Sequence, residues 1–66
     1  MKGYFIIDNV KYNILHAFKK KNDCYVIYTD NNDVLASKYE IVNNQIKLLP
    51  IEDYSLVDKE WNSINE

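Results

Sequence analysis

Arginine is absent from this chain of 66 residues, in which ten acidic residues outnumber eight lysines and give a net charge of −2. Proteins that bind nucleic acid carry a basic patch or stripe. Arginine also supplies the paired hydrogen bonds that phosphate and guanine recognition prefers. The composition therefore argues against nucleic acid as the main partner.

Cysteine, glycine and proline occur once each, as Cys24, Gly3 and Pro50. One cysteine cannot form a disulfide within the chain, and with the single histidine, His16, it falls short of the three or four ligands of a zinc site. One glycine cannot build a Gly-rich phosphate loop. We therefore expect neither a metal nor another cofactor.

Long hydrophobic runs are missing as well. No apolar stretch approaches the roughly 20 residues of a membrane-spanning helix. Residues 1–4 hold one lysine, and the apolar run that follows is broken at Asp8, which is not the pattern of a secretory signal. With a free cysteine and no such signal, we expect a cytoplasmic protein without a membrane partner.

The chain does contain enough apolar and aromatic residues, 47% and 14%, to form a folded domain. Period-two alternation and turn-forming pairs predict five strands, over residues 4–7, 10–18, 24–29, 34–42 and 45–49. Asp8–Asn9 and Asn43–Asn44 suit two-residue hairpin turns, and Pro50 ends the last strand because it lacks an N–H for the ladder. Strict alternation in the second strand places five side chains on one face: Val10, Tyr12, Ile14, His16 and Phe18.

After Pro50 the apolar spacing becomes that of a helix, with Tyr54, Val57, Trp61 and Ile64 on one face and Asp53 as a cap. This predicts a helix over residues 54–65. The predicted fold is α+β: a small antiparallel sheet of five strands, a meander, with one C-terminal helix packed on one face. We expect residues 1–66 to form one domain.

The stretch "YVIYT", residues 25–29, is apolar on both faces, as expected of the central strand in a five-stranded meander. Tyr25 and Tyr28 then point to opposite faces, one toward the helix and the other toward the open face. The sequence leaves open which of the two is exposed.

The open face is the first candidate for an interaction surface. We expect it to combine the exposed tyrosine with polar side chains of both charge signs, which is typical of a modest protein interface rather than of a nucleic-acid groove. These polar residues are Lys11, Asn13, Lys38 and Glu40.

The triplet Lys19–Lys20–Lys21 is the one local concentration of charge. Beside Tyr25 or Tyr28 it could hold a nucleic-acid backbone while a base stacks on the ring, as in single-strand binders. The alternative is a solvated hairpin turn whose lysines discourage aggregation through the sheet edge.

No group of residues predicts a catalytic site. Cys24 as a nucleophile would need a neighbouring base, and Glu52–Asp53 is an ordinary helix cap. The acidic loop at residues 30–33 lacks both the glycine and the final glutamate of a calcium loop. We therefore expect a protein that is not an enzyme.

The segments ILHAF, YVIYTD, VLASKYEI, IKLLPIED and EWNSI follow one another between Ile6 and Ile64. In this order they resemble domain-of-unknown-function family 1292, a family of short cytoplasmic proteins of low-GC Gram-positive bacteria. Its members have a similar tyrosine-flanked strand, a Leu-x-Pro-Ile-Glu-Asp junction and a helix with an aromatic–Asn pair, here Trp61–Asn62. The resemblance implies a bacterial domain with no assigned activity, catalytic residue, cofactor or partner.

Three functional hypotheses follow. The first is a non-enzymatic domain that binds or regulates another protein through its open sheet face or an edge strand. The second is RNA or single-stranded DNA binding by the sheet tyrosines and the turn at Lys19–Lys21. The third is a small inhibitor of the phage-encoded type, and self-association is a further possibility.

Overall fold

The structure, a computed structural model, describes residues 3–64 and contains five strands and one helix. The strands are β1 (Tyr4–Ile7), β2 (Val10–Lys20), β3 (Asp23–Thr29), β4 (Val34–Val42) and β5 (Gln45–Leu49). The helix is α1 (Ser55–Ile64). No helix within the described range is long and apolar enough to cross a membrane.

The predicted α+β fold is confirmed: the five strands pair antiparallel in chain order, and one C-terminal helix follows them. β1, β4 and β5 have the predicted bounds, whereas β2 extends to Lys20 and β3 begins at Asp23. The helix begins one residue later than predicted, at Ser55, and its predicted end at residue 65 lies outside the described residues.

Three of the four strand connections are two-residue turns with both residues at positive φ. These are Asp8–Asn9 (51° and 66°), Lys21–Asn22 (53° and 74°) and Asn43–Asn44 (52° and 66°). Such turns match the right-handed twist of the paired strands, and asparagine and aspartate tolerate this backbone region better than other non-glycine residues. A chain with one glycine therefore builds tight hairpins with asparagine.

The helix lies against the face of the sheet that we call the helix face. Its cap is the predicted one, because the Asp53 carboxylate accepts a hydrogen bond from the N–H of Ser55 at 2.9 Å. The buried side chains of this layer are Tyr25 and Ile27 from β3, Ile51, and Val57 from α1. Four partly buried residues pack against them: Phe18, Ala36, Leu56 and Trp61.

The opposite face, here the groove face, has a hydrophobic cluster of its own. Phe5, Val26 and Tyr28 are buried there, and Val26 is completely inaccessible. Side chains from both outer strands, among them Ile7 of β1 and Ile46 of β5, pack against this cluster. The sheet therefore curls around β3 and buries its own inner face, so that β3 is covered on both sides.

A β-bulge in β2 makes this curl possible. Ile14 lies opposite Tyr28 and His16 lies opposite Ile27, so Leu15 is an extra residue without a partner on β3. The prediction that five side chains of β2, at alternate positions from Val10 to Phe18, share one face is wrong. Before the bulge, Tyr12 and Ile14 point to the groove face; after it, His16 and Phe18 point to the helix face.

Trp61→Ala should destabilise the domain by about 2 kcal/mol, below the usual cost for a fully buried aromatic because Trp61 is half-buried against the helix-face cluster. Tyr54→Ala is the matched control, since this aromatic side chain is 55% exposed. It should cost less than about 1 kcal/mol. Urea unfolding followed by circular dichroism measures both, and equal losses would contradict the docking of α1 through Trp61.

Candidate functional site

The polar residues predicted to form the open face lie instead on the helix face. In the ladder, Asn13 is opposite Thr29 and Lys38 is opposite Tyr25, and residues opposite one another share a face. Lys11 lies two residues from Asn13 on β2, and Glu40 two residues from Lys38 on β4. β3 and its helix-covered side chains separate these pairs, so the structure does not bring them together.

Each of the four polar side chains has a local partner. Lys11 Nζ lies 4.7 Å from the centre of the Tyr4 ring, and the Asn13 amide donates to Asn31 Oδ1 at 3.3 Å. Lys38 Nζ is 3.6 Å from Asp23 Oδ2, and Lys47 Nζ is 3.9 Å from Glu40 Oε1. These are contacts of a solvated sheet surface, and each contributes little to stability.

The expectation of one exposed tyrosine in β3 is wrong. Tyr25 is 4% exposed and Tyr28 is 7% exposed, because α1 covers one side of β3 and the curled sheet covers the other. The Tyr25 ring stacks on Phe18 with centroids 5.0 Å apart. The Tyr28 ring meets Phe5 edge-on at 5.2 Å, and its hydroxyl shares a hydrogen bond with Ser37 Oγ at 2.9 Å.

The lysine triplet lies at the β2–β3 turn, with all three residues exposed. Because Tyr25 and Tyr28 are buried, neither ring can stack on a base in the folded protein. Of the residues predicted to contact nucleic acid, only Lys19, Lys20 and Lys21 are therefore accessible. A lysine turn without an aromatic platform is equally well explained as a solvated hairpin.

His16 and Cys24 lie on different faces of the sheet. His16 Nε2 is 2.9 Å from Glu60 Oε2, a contact that joins the bulged part of β2 to α1. Cys24 lies opposite Tyr39 on the groove face, where loss of solvent, and secondarily the neighbouring thiol, raises the pKa of the Tyr39 hydroxyl. Within residues 3–64, no three side chains of metal-ligating type are grouped together.

The groove face contains an open groove of about 700 Å³ between β1 and the β4–β5 hairpin. Ile41, which is 56% exposed, points into it from β4, and Phe5 closes it on the side of β1. Among the described residues, none that line the groove is charged. The full lining is Tyr4, Phe5, Cys24, Tyr39, Ile41, Asn44 and Ile46.

A second concavity continues the groove between the free edges of the two outer strands. We call this space of about 470 Å³ the edge slot; residues 5–7 of β1 line one side and residues 44–46 the other. Successive residues of a strand point to opposite faces. Three consecutive residues can line the same space only where the strand presents its backbone edge, so two backbone edges form the walls of the slot.

Tyr39, Ile41 and Ile46 are not among the site residues predicted from the sequence. A signal for them exists in the hairpin, where Tyr39 and Ile41 alternate with the charged Lys38 and Glu40. This pattern places an apolar row at the edge of the sheet. The curl that turns this row into the wall of a groove is a tertiary property, and no residue pattern specifies it.

Lys21→Gly should stabilise the protein by about 0.5–1 kcal/mol. Lysine at a φ of 53° carries a steric cost that glycine avoids, although glycine adds entropy to the unfolded chain. Lys20→Gly removes the same charge one residue earlier, inside β2, and should destabilise by a similar amount. The urea unfolding midpoints of the two variants should move in opposite directions. Shifts of the same sign would contradict the explanation that backbone conformation, rather than loss of the lysine charge, causes the change in stability.

Comparison with protein-family models, with curated proteins and with solved structures finds no match to this chain. The resemblance to domain-of-unknown-function family 1292 therefore stays a prediction, and the chemistry of the groove is the basis for a functional proposal.

Proposed function

We propose that this protein is a non-enzymatic binding domain that takes up part of another protein in the groove between β1 and the β4–β5 hairpin. The observation that carries the proposal is the exposure of Ile41 in a concave, uncharged, mostly apolar surface. Apolar surface that is concave and rimmed by polar groups marks interaction sites, whereas single exposed apolar residues are common on any protein.

The chemistry of the groove favours binding over catalysis. Its side chains are aromatic and aliphatic, with one thiol, one carboxamide and the hydroxyl of Tyr39. Tyr4 lies opposite Asn13, so its ring is on the helix face and its backbone lines the groove. General acid–base catalysis most often uses an imidazole, a carboxylate or an amine, and less often a phenol or a thiol. Among the described residues, those that line the groove provide none of the first three groups. Loss of solvent raises the pKa of the Tyr39 phenol beside Cys24, away from the neutral range that suits a general base.

The same chemistry favours a protein over a nucleic acid as the partner. Neutralising phosphates requires cations along the binding surface, and the groove lining has none among the residues described. The lysine triplet at Lys19–Lys21 lies on a hairpin turn, outside the set of lining residues. An apolar groove lined by the aromatic rings of Phe5 and Tyr39 matches the composition of the central part of protein interfaces.

The test uses two neighbouring residues of β4 that point to opposite faces. Ile41→Asp places a carboxylate in the groove, whereas Val42→Asp places one on the helix face; the two side chains are 56% and 45% exposed. Both variants should keep the native circular dichroism, because neither position is in a buried cluster.

The tagged chain and both variants are used to capture proteins from a nuclease-treated lysate, and the captured partner is then titrated in purified form. We expect stoichiometric capture by the unmodified chain and by Val42→Asp, and at least about 30-fold weaker binding by Ile41→Asp, because a carboxylate would be buried in an apolar contact. Capture of no partner, or equal binding by both variants, contradicts the proposal.

A further inference from the structure

The backbone of β1 has hydrogen-bonding groups that point into the edge slot. The N–H of Ile14 donates to the carbonyl oxygen of Gly3 at 2.9 Å. Tyr4 and Asn13, which lie opposite one another, are therefore a non-hydrogen-bonded pair of the antiparallel ladder. It follows that the N–H and C=O groups of Tyr4 and of Ile6 point away from β2, and those of Ile6 point toward the slot.

The edge of β5 has the same arrangement. Val42 and Gln45 flank the two-residue turn at Asn43–Asn44, as Ile7 and Val10 flank the turn at Asp8–Asn9, and residues in this position form a hydrogen-bonded pair. The next residue along β5, Ile46, is therefore in a non-hydrogen-bonded pair with β4. The N–H and C=O groups of Ile46, and two residues later of Leu48, point away from β4.

The number of strands determines the direction in which the two edges run. In an antiparallel meander of five strands, β1 and β5 are parallel to one another. When such a sheet curls, its two free edges cannot form an antiparallel pair with each other. One additional strand that runs antiparallel to both would complete an antiparallel barrel of six strands, which leaves no free edge.

The side chains on either wall define what can occupy the slot. β1 has the sequence YFII, without a charged residue or a proline that would discourage strand addition. An extended polypeptide presents backbone N–H and C=O groups to both of its sides at the spacing of a strand. It can therefore form hydrogen bonds with both edges at once. Its residues facing the groove meet Phe5, Ile41 and Ile46, so they must be apolar.

We infer that the partner binds as an extended segment, with apolar residues at alternate positions, that adds as a sixth strand between β1 and β5 and closes the curled sheet. This inference rests on the proposed function and specifies how the partner is held. The partner's main chain bonds to Tyr4 and Ile6 on one side and to Ile46 and Leu48 on the other. Its alternate side chains fill the groove.

The experiment supplies a sixth strand within the same molecule. The heptapeptide Lys-Val-Thr-Val-Thr-Val-Lys is joined ahead of Met1 of the full chain through a flexible Gly/Ser linker, which gives it an effective concentration in the millimolar range. Entering from this end, it runs antiparallel to β1. The control has the same tail with proline in place of both threonines, which removes backbone donors on one side and keeps the valines.

Amide hydrogen exchange measured by NMR reports on each edge separately. With the threonine tail we expect exchange to slow by about tenfold or more at Tyr4, Ile6, Ile46 and Leu48. With the proline tail we expect the rates of the unmodified chain. Slower exchange at Tyr4 and Ile6 alone would mean that the tail extends the sheet without closing it, and this result, or no slowing at all, overturns the inference.

Binding of the captured partner separates this inference from the proposed function. A tail that fills the slot should weaken that binding at least about tenfold relative to the proline tail. Equal binding by both tailed proteins would overturn the sixth-strand mode while leaving the groove as a protein-binding site. If the unmodified chain captures no partner, the proposed function fails, and the exchange pattern still shows whether the slot accepts a strand.

Discussion

The structure depends on the bulge at Leu15, because this one extra residue lets β2 contribute to two hydrophobic clusters on opposite faces. Before the bulge, Tyr12 packs with Phe5 and Tyr28 on the groove face. After it, Phe18 stacks on Tyr25 beneath the helix. A bulge also bends its strand and increases the local twist, so the same residue that redirects these side chains favours the curl that buries Val26.

The elements that sequence predicted well are those specified by local chemistry. Asn43–Asn44 form the expected tight turn because asparagine accepts positive φ, and Pro50 follows the last strand because it lacks an N–H. The three- and four-residue spacing of Tyr54, Val57, Trp61 and Ile64 predicts the helix. Val57 and Trp61 of this face pack on the sheet, whereas Tyr54 and Ile64 are exposed. Each of these signals acts within a few residues, so tertiary structure does not alter it.

The candidate site could not be predicted in this way, because it depends on how the sheet curls and on which face of the sheet each side chain of β2 points to. Strict alternation from Val10 to Phe18 assumes an uninterrupted strand, and one bulge reverses the face of every residue beyond it. A helix of ten residues covers only the middle of its face, which leaves Lys11 and Glu40 in solvent beside it. The face without the helix was expected to combine one exposed tyrosine with polar side chains; instead it is mostly apolar, and the curl of the sheet buries Tyr28.

This arrangement leaves a small domain with an apolar groove in which the exposed part of Ile41 adds nothing to stability. Full burial of an isoleucine side chain is worth about 1.5–3 kcal/mol, and Ile41 is more than half exposed. A chain of this size has a small free energy of unfolding. The stabilisation lost by leaving Ile41 exposed is a large fraction of it. The two parallel edges of β1 and β5 cannot remove this exposure by pairing with each other in the antiparallel pattern of the rest of the sheet. A strand from another chain can pair with the backbone groups of both edges and cover the apolar groove at the same time. Because β1 and β5 are parallel only when the number of strands is odd, the strand number is connected to the proposed binding function.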